Sequence, residues 1–264
     1  MTPSRSNFYI AVRNYRRALG ALILRDIKTR FFGSSWGFLI AIAWPLTHIA
    51  LLLVLNTIAG RLPPYGDSAA LWFATGIVPF MAFSYMSRFI MLGLVLNRPL
   101  LIFPTIKLTD ILLARAIVEV LSAGIVILIL IIYFALEGVD FVPYDIVGAY
   151  RALGAAMLLG VGFGFVNAVI AQAAVFWATG YSLFMIFLWM ASGILFIPDN
   201  LPELARDILY YNPVLQVVSA TRAAFYEGYA SLTLDYGYLF ASAFVSLFLG
   251  LLLARFARGR LLQG

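Results

Sequence analysis

Cysteine is absent from this chain of 264 residues, and histidine occurs once, as His48. Without cysteine there is no disulfide, thiol nucleophile or thiolate ligand, and one imidazole is too few for a zinc site. Lysine occurs only at Lys28 and Lys107, and neither follows a glycine, which excludes a phosphate-binding loop ending in GK[ST]. We therefore expect no catalytic residue, no metal site and no cofactor in this chain, which cannot hydrolyse ATP by itself.

Charge is scarce as well. Only 11% of the residues are charged, whereas 63% are hydrophobic, and the mean hydropathy is +0.97. A soluble domain carries about 25% charged residues, because its surface must be hydrated. This composition excludes a soluble protein and indicates an integral membrane protein.

Long runs without charge predict where the chain crosses the bilayer. A hydrocarbon core of about 30 Å requires about 20 apolar residues per helix, and the run from 152 to 198 is long enough for two helices. Short segments of alternating polarity, typical of membrane β-barrels, are missing. We therefore predict a single all-α domain with six transmembrane helices at about 35–59, 70–95, 109–136, 151–176, 180–197 and 234–255.

Two features inside these spans favour contact between helices. His48 follows Pro45 within the first span, where a lone imidazole is expected to hydrogen-bond a neighbouring helix rather than act as a ligand or base. Gly160 and Gly164 are four residues apart, a spacing of small residues that lets two helices approach closely.

The distribution of basic residues predicts the orientation. Lysine and arginine are concentrated before the first span, between the second and third spans and in the C-terminal tail, whereas the other loops are mainly acidic. Because basic loops remain on the cytoplasmic side, both termini are predicted to be cytoplasmic. The net charge of +6 is therefore a topology signal. No interleaving of basic and aromatic residues indicates binding to nucleic acid.

Two segments outside the spans have helical patterns. Residues 7–32 combine an apolar face with a basic face, which predicts an interfacial helix that either anchors the chain to membrane lipid or holds a cytoplasmic partner. Residues 198–230 contain two short helical patterns separated by Pro213. They form either a capping loop or external helices that dip into the membrane beside a pathway, since broken helices are tolerated there.

A cluster of charge follows the second span. The loop 97–108 and the start of the third span contain Arg98, Lys107, Asp110, Arg115 and Glu119. Arg115 and Glu119 are one helical turn apart and can form an ion pair. The cluster either satisfies its own charges at the interface or is a docking element for a cytoplasmic partner.

Four stretches carry a resemblance to a known family. They are "LILRDIKTRFFGSSWGFLIAIAWPLTH" from Leu22, "GIVPFMAFSYMSR" from Gly76, "FPTIKLTDILLARAIVE" from Phe103 and "YNPVLQVVSATRAAF" from Tyr211. With them the chain resembles, over nearly its whole length, the KpsM-type permeases of the type-2 ABC transporter class, which export capsular polysaccharide. The first stretch is shared broadly among polysaccharide and O-antigen permeases, and the second and third narrow the resemblance to capsule export.

The resemblance implies a homodimer in the bacterial cytoplasmic (inner) membrane with two copies of a cytoplasmic, KpsT-like ATP-binding subunit, which would hold the ATP and magnesium. It implies an acidic, glycolipid-anchored polysaccharide as substrate, handed to periplasmic and outer-membrane export proteins. It assigns ATPase coupling to Arg98, Pro104, Lys107, Asp110, Arg115 and Glu119. It places the cytoplasmic gate at Arg25, Lys28 and Arg30 and the periplasmic gate at Asn212, Pro213 and Arg222.

Aromatic side chains suit a path for a sliding sugar polymer, because they give weak and repeated contacts. We expect Trp44, Phe83, Tyr85, Phe187 and Trp189 to line the channel. Arg88 lies about 13 Å from the end of its helix, at 1.5 Å per residue, where an unpaired charge is costly. It either pairs with Asp110 or Glu119, or it meets an anionic substrate where that substrate enters.

Other classes of membrane protein compete with this interpretation. A type-2 ABC permease for another glycan or lipid, such as O-antigen or teichoic acid, or for a drug, would have the same six spans. A secondary transporter would place carboxylates near the midplane, and only Glu119 lies within a span, near its cytoplasmic end. A membrane enzyme would need convergent acid, base or metal groups, which one histidine and scattered carboxylates do not provide.

Overall fold

A computed structural model describes residues 5–29, 37–60, 62–103, 106–174, 176–229 and 231–261. These residues form helices and no strands, which confirms the all-α prediction. The helices are α1 (Arg5–Thr29), α2 (Gly37–Ile58), α3 (Ala69–Leu96), α4 (Leu108–Leu136), α5 (Ile146–Ala173), α6 (Trp177–Met190), α7 (Glu203–Tyr210), α8 (Pro213–Phe225) and α9 (Tyr236–Leu261). Two short 3₁₀ helices, Arg98–Ile102 and Pro198–Asn200, lie in the connections.

Five of these helices are long and apolar enough to cross a membrane, namely α2, α3, α4, α5 and the part of α9 from Tyr236 to Ala257. The span predicted at 180–197, and with it the count of six, is not confirmed. Helix α6 has 14 residues, or about 21 Å at 1.5 Å per residue, which is shorter than a hydrocarbon core of about 30 Å. The chain leaves the helix after Met190, and Gly193 takes the left-handed conformation with φ of 71°, which ends helices.

Helices α3 and α5 form the centre of the molecule, and glycine brings their backbones together. A β-carbon on Gly160 would lie 3.0 Å from the carbonyl oxygen of Phe83, and one on Gly164 would lie 2.8 Å from Cβ of Ile90. The predicted packing role of these two glycines is therefore confirmed. On another face of α5, Gly162 meets the backbone of α9 at Leu247 in the same way.

Helix α8 is short but largely buried, and it packs against α3, α5 and α9. It is thus part of the interior rather than a surface loop. At the other end of the chain, α1 is mainly exposed along its length and packs against α4 and α2. The packing of α8 in the interior and of α1 on α4 brings together the polar side chains of the candidate site.

Candidate functional site

The most buried charge cluster lies where α1 meets α4. Arg115 of α4 is 4% exposed, and its Nη1 donates to Oδ2 of Asp26 in α1 at 2.8 Å. Its Nε lies 3.0 Å from Oε1 of Glu119 one turn further along α4, so the ion pair predicted within α4 is present. A buried guanidinium is costly unless carboxylates compensate its charge. Because one of the two carboxylates belongs to α1, the network favours this one position of α1 on α4.

A second link joins α1 to the end of α3. Nη1 of Arg25 donates to Oδ1 of Asn97 at 2.9 Å, and Nδ2 of Asn97 donates to the carbonyl oxygen of Gly93 at 2.8 Å. At the start of α4, the backbone N–H of Lys107 donates to Oδ2 of Asp110 at 2.9 Å, which places a carboxylate at the positive end of the helix. The ends of α1, α3 and α4 are thereby held as one unit, which we call the α1–α3–α4 junction.

Polar side chains also reach the surface of α2 and α3. Nδ1 of His48 and the hydroxyl of Tyr85 are 2.8 Å apart, which confirms the predicted contact of His48 with a neighbouring helix. Tyr85 stacks on Phe89 with ring centroids 5.6 Å apart. Trp44 is 63% exposed, and His48 and Arg88 are exposed as well. We call Trp44, His48, Tyr85 and Arg88 the α2–α3 polar face.

Apart from Thr47 and Thr57 of α2, the other exposed residues of these two helices are apolar. Glu119 pairs with Arg115 and Asp110 caps α4, so neither is the partner of Arg88. Within the described parts of the chain, Arg88 has no ion pair. Exposed polar groups on membrane helices are expensive in contact with lipid and face protein or a water-filled cavity. The face is therefore a candidate wall of a path or of a contact with another chain.

The third cluster joins α8 to the end of α6. Arg222 is fully buried and its guanidinium donates to the carbonyl oxygens of Gly193, Ile194 and Phe196 at 2.6, 2.8 and 3.2 Å. The guanidinium carbon lies 4.0 Å from the centroid of the Trp72 ring. Carbonyl groups beyond a helix C-terminus lack partners in their own helix and attract a cation. Arg222 is therefore the clamp that holds the turn after α6 against α8.

Asn212 adds a second hold on the same turn. Its Oδ1 accepts from the N–H of Val214 at 3.0 Å, as expected of an N-cap residue, and its Nδ2 donates to the carbonyl oxygen of Ala191 at 2.9 Å. Pro213 is the first residue of α8, where its missing N–H costs nothing. The three residues assigned to the periplasmic gate thus lie at or near one junction between α6 and α8.

A fourth group of hydrogen bonds ties α7 and α8 to α9. The hydroxyl of Tyr210 donates to Oδ2 of Asp235 at 2.7 Å. Gln216 accepts from the N–H of Asp235 at 2.8 Å and donates to the carbonyl oxygen of Tyr210 at 2.9 Å. The hydrogen bond from Tyr210 holds the pKa of Asp235 below its usual value and raises the pKa of Tyr210.

Several named proteins are similar to this chain over most of its length. The chain is 28% identical to the polysialic acid transport protein KpsM of Escherichia coli, with 89% of this chain and 91% of KpsM covered. The chain is similar to capsule polysaccharide export proteins. The capsule polysaccharide export inner-membrane protein CtrC of Neisseria meningitidis is 24% identical, with 97% of each chain covered. BexB of Haemophilus influenzae, of the same description, is 24% identical with 92% of each covered. These relatives confirm the resemblance inferred from the four stretches, and no protein-family model matches the chain.

The residues expected to line a channel lie in different environments. Trp44 and Phe187 are exposed, at 63% and 70%, while Tyr85 and Trp189 are half-buried. Phe83, in contrast, is fully buried and packs edge-to-face on Phe163, with ring centroids 5.5 Å apart. The structure thus places Phe83 in the protein core, where it presents no face to a path.

The basic residues expected at the gate and coupling loop lie around the junction. Lys28, Arg98 and Lys107 are exposed, and the apolar side chains of Ile102 and Phe103 beside them are exposed at 79% and 56%. A surface with both exposed cations and exposed apolar groups suits a protein partner. Arg30 and Pro104, which were assigned to the gate and the coupling loop, lie outside the described residues.

Sequence reasoning missed two residues that organise these clusters. Asp26 is the single acidic residue in the basic segment before the first span. A lone negative charge in such a segment indicates an ion pair, and this was the signal that could have identified it. Gln216 lies in the middle of an apolar helical pattern, and a buried amide there indicates a polar partner. Its partners come from α7 and the start of α9 and could not be identified from spacing.

Proposed function

We propose that this chain is the membrane-spanning subunit of an ATP-driven exporter that carries lipid-linked, acidic capsular polysaccharide across the bacterial cytoplasmic membrane. Similarity to three capsule export proteins over most of each chain supports the class. The observation that carries the proposal is the α1–α3–α4 junction, in which Arg115 joins α1 to α4 through Asp26. A chain without a phosphate-binding loop needs a place to receive force from an ATPase, and this junction offers one.

Force would enter at the loop between α3 and α4. Two copies of a cytoplasmic ATP-binding subunit would contact the exposed residues Arg98, Ile102, Phe103 and Lys107. Asp110 and the first turn of α4 would receive the push, and Arg115 with Asp26 would transmit it to α1. Because Arg25 also ties α1 to the end of α3, the three helices would move together.

The path for the polymer would lie between two copies of this chain. The α2–α3 polar face would form part of its wall, with Trp44 and Tyr85 giving weak contacts to sugar rings. Arg88, together with Arg30, Arg25 and Lys28 at the cytoplasmic side, would guide an acidic polymer and its lipid phosphate. At the far side, α8 and the turn held by Asn212 and Arg222 would form the periplasmic gate.

The orientation follows from charge. With the basic junction in the cytoplasm and α7 and α8 on the periplasmic side, the distribution of lysine and arginine satisfies the positive-inside rule. Both termini are then cytoplasmic if α6, with the segment that follows it, returns the chain to the outer side. Periplasmic and outer-membrane export proteins would receive the polymer there.

Co-purification tests the proposal. We expect the full chain, extracted in mild detergent from cells that also express a KpsT-like ATP-binding protein, to be isolated with that protein in a two-to-two complex. ATP hydrolysis by this complex should rise when lipid-linked polymer is added. Replacing Lys107 and Asp110 together with alanine should reduce this stimulation without dispersing the dimer.

Two results would contradict it. A chain that purifies alone and transports its substrate on an ion gradient would be a secondary transporter. Unchanged stimulation of ATP hydrolysis in the Lys107→Ala, Asp110→Ala variant would mean that this charge cluster is only structural.

A further inference from the structure

A cavity of about 330 Å³ lies between α3, α4, α5 and α8, away from the α2–α3 polar face. Its inner wall includes Ala74 and Thr75 of α3, Leu130 of α4 and Phe225 of α8. The exposed side chains of Ile131 in α4 and Tyr150 in α5 line its outer side.

The lining of this cavity is apolar, and the few hydroxyl groups in it are mostly engaged in hydrogen bonds of their own. None of the described residues that line it is charged, and its hydroxyl-bearing residues are Thr75, Thr221 and Tyr150. The hydroxyl of Thr75 donates to the carbonyl oxygen of Trp72 at 2.7 Å, and that of Thr221 donates to Val217 at 2.9 Å. Both donors are used within their own helices, so the two threonines offer mainly methyl groups to an occupant.

Water and sugar are poor occupants of such a space. A buried water needs two to four polar partners, and an engineered apolar cavity of about 150 Å³ stays dry and binds benzene. This cavity has about twice that volume. A saccharide would lose its hydrogen bonds to water and find almost no replacement. The occupant must therefore be apolar.

The position of the cavity in the molecule indicates which apolar molecule occupies it. The lining runs along α3 from Leu71 to Pro79, along the end of α4, over residues 141–143 of the connection and along the start of α5. The eight steps from Leu71 to Pro79 extend about 12 Å at 1.5 Å per residue, which is close to half of a hydrocarbon core of about 30 Å. The cavity thus matches the depth of one leaflet, and its mouth opens between the apolar outer faces of two membrane helices.

We propose that this cavity binds one acyl chain of a bilayer phospholipid. Under the orientation given above, the lipid belongs to the outer leaflet, but the inference does not depend on what the protein transports. Thr221 and Phe225 form one wall, so the chain packs against the helix that carries the Arg222 clamp. A phospholipid is therefore a structural ligand of the α8 region.

Photolabelling in vesicles tests this proposal. The full chain would be reconstituted in phosphatidylethanolamine and phosphatidylglycerol with a trace of phosphatidylethanolamine that carries a diazirine near the middle of one acyl chain. After illumination, peptide mass spectrometry should find adducts on Ala74 or Thr75, which are 4% and 3% exposed and cannot be reached from the annular lipid. Adducts on Ile132, an exposed residue of α4, serve as the internal reference.

A variant that fills the cavity should reduce the adducts on Ala74 and Thr75 but not the reference adducts on Ile132. We expect Ala149→Leu to reduce labelling of Ala74 and Thr75 at least fivefold and to leave labelling of Ile132 unchanged. If Ala149→Leu does not fold, Ala74→Leu narrows the same space from α3 and is read out at Thr75. Absence of adducts on α3, or adducts that neither variant reduces, would overturn the proposal.

The absence of native cysteine permits a second test of the occupant. A single Thr75→Cys variant should resist a membrane-impermeant maleimide, because the space holds an acyl chain. Reaction as rapid as that of an exposed control, Tyr144→Cys, would mean a water-filled cavity. Disulfide formation between two copies of an Ile131→Cys variant would mean that a second protein chain covers the mouth. Either result would overturn the proposal.

Discussion

Arg115 lies directly against Gly93: a β-carbon on Gly93 would stand 2.8 Å from Cγ of Arg115 and 3.0 Å from its Cδ. The missing side chain of α3 therefore makes the space in which the guanidinium of α4 reaches Asp26 of α1. One glycine and one arginine thus bring three helices together at the α1–α3–α4 junction. Because Arg115 packs so closely on Gly93, a larger side chain at position 93 would displace Arg115.

Replacing Gly93 should disturb the network without touching a charged residue. In Gly93→Val the added atoms displace Arg115 from Asp26, and we expect a loss of about 1–3 kcal/mol, as for other overpacked sites. The melting temperature of the detergent-solubilised chain measures this loss. Gly154→Val is the matched control, because a β-carbon on Gly154 meets nothing within 4 Å. Equal melting temperatures for the two variants would contradict the contact.

Removing the guanidinium itself should cost more. Arg115→Ala leaves the carboxylates of Asp26 and Glu119 without the cation between them, and breaking such a buried network costs about 3–5 kcal/mol. A double-mutant cycle with Asp26→Ala isolates the link between α1 and α4. We expect a coupling energy of about 0.5–3 kcal/mol, as found for residues in contact. Additive effects of the two substitutions would show that α1 is not held by this pair.

The class of fold could be predicted from sequence because the bilayer imposes it. A hydrocarbon core demands long apolar helices, and α2, α3 and α4 each coincide with one of the apolar runs, although α3 also contains Arg88 and α4 contains Arg115 and Glu119. The span predicted at 180–197 does not have that length. Its apolar composition continues through Leu195, but the helix ends at Met190. The turn at Gly193 depends on donors from Arg222 that only the folded chain brings there.

Which face of a membrane helix points inward was harder to predict. Helix α3 is apolar around most of its circumference, so its pattern contains no inward stripe. Phe83 and Tyr85 looked equivalent in sequence, yet one is core and the other contacts His48 at the surface. The pairing of Asp26 with Arg115 spans 89 positions, and no local spacing encodes such a register. The sequence therefore predicted the charge cluster and the pair of Arg115 with Glu119, but not the pairing with Asp26.

Arg88 offers a test of the proposed path. Because it is exposed and forms no ion pair among the described residues, its replacement should leave folding largely intact. We expect Arg88→Ala to lower surface polysaccharide at a normal level of membrane protein. Arg88→Lys should retain part of the export because it keeps the charge. Immunoblotting measures the protein, and capsule staining measures the polymer. Full surface polymer in the Arg88→Ala strain would contradict the role.

The hydrogen bond between Tyr210 and Asp235 predicts a dependence on pH. The pKa of Asp235 is lowered in the folded chain, so its stabilising effect is present above the ordinary pKa of about 4 and is lost as the pH falls through the lowered value. Asp235→Asn should therefore melt below the parent chain at pH 6, and the difference should shrink at pH 3. A difference that is constant between these pH values would show that the charge of Asp235 makes no contribution.

The Arg222 clamp should depend on the shape of the guanidinium and not on charge alone. Three carbonyl oxygens, of Gly193, Ile194 and Phe196, receive its donors, and a lysine ammonium is a single point that cannot reproduce this fork. Each buried carbonyl left without a donor costs about 1–3 kcal/mol, so Arg222→Lys should lower the melting temperature by several degrees at about 2–4 °C per kcal/mol. Arg151→Lys, at an exposed arginine of α5, is the control and should be nearly neutral.

Since the clamp holds the turn after α6, limited proteolysis of Arg222→Lys should also cleave near Gly193 sooner than in the control. An Arg222→Lys chain as stable and as protease-resistant as Arg151→Lys would mean that α8 and α6 are held together by packing alone.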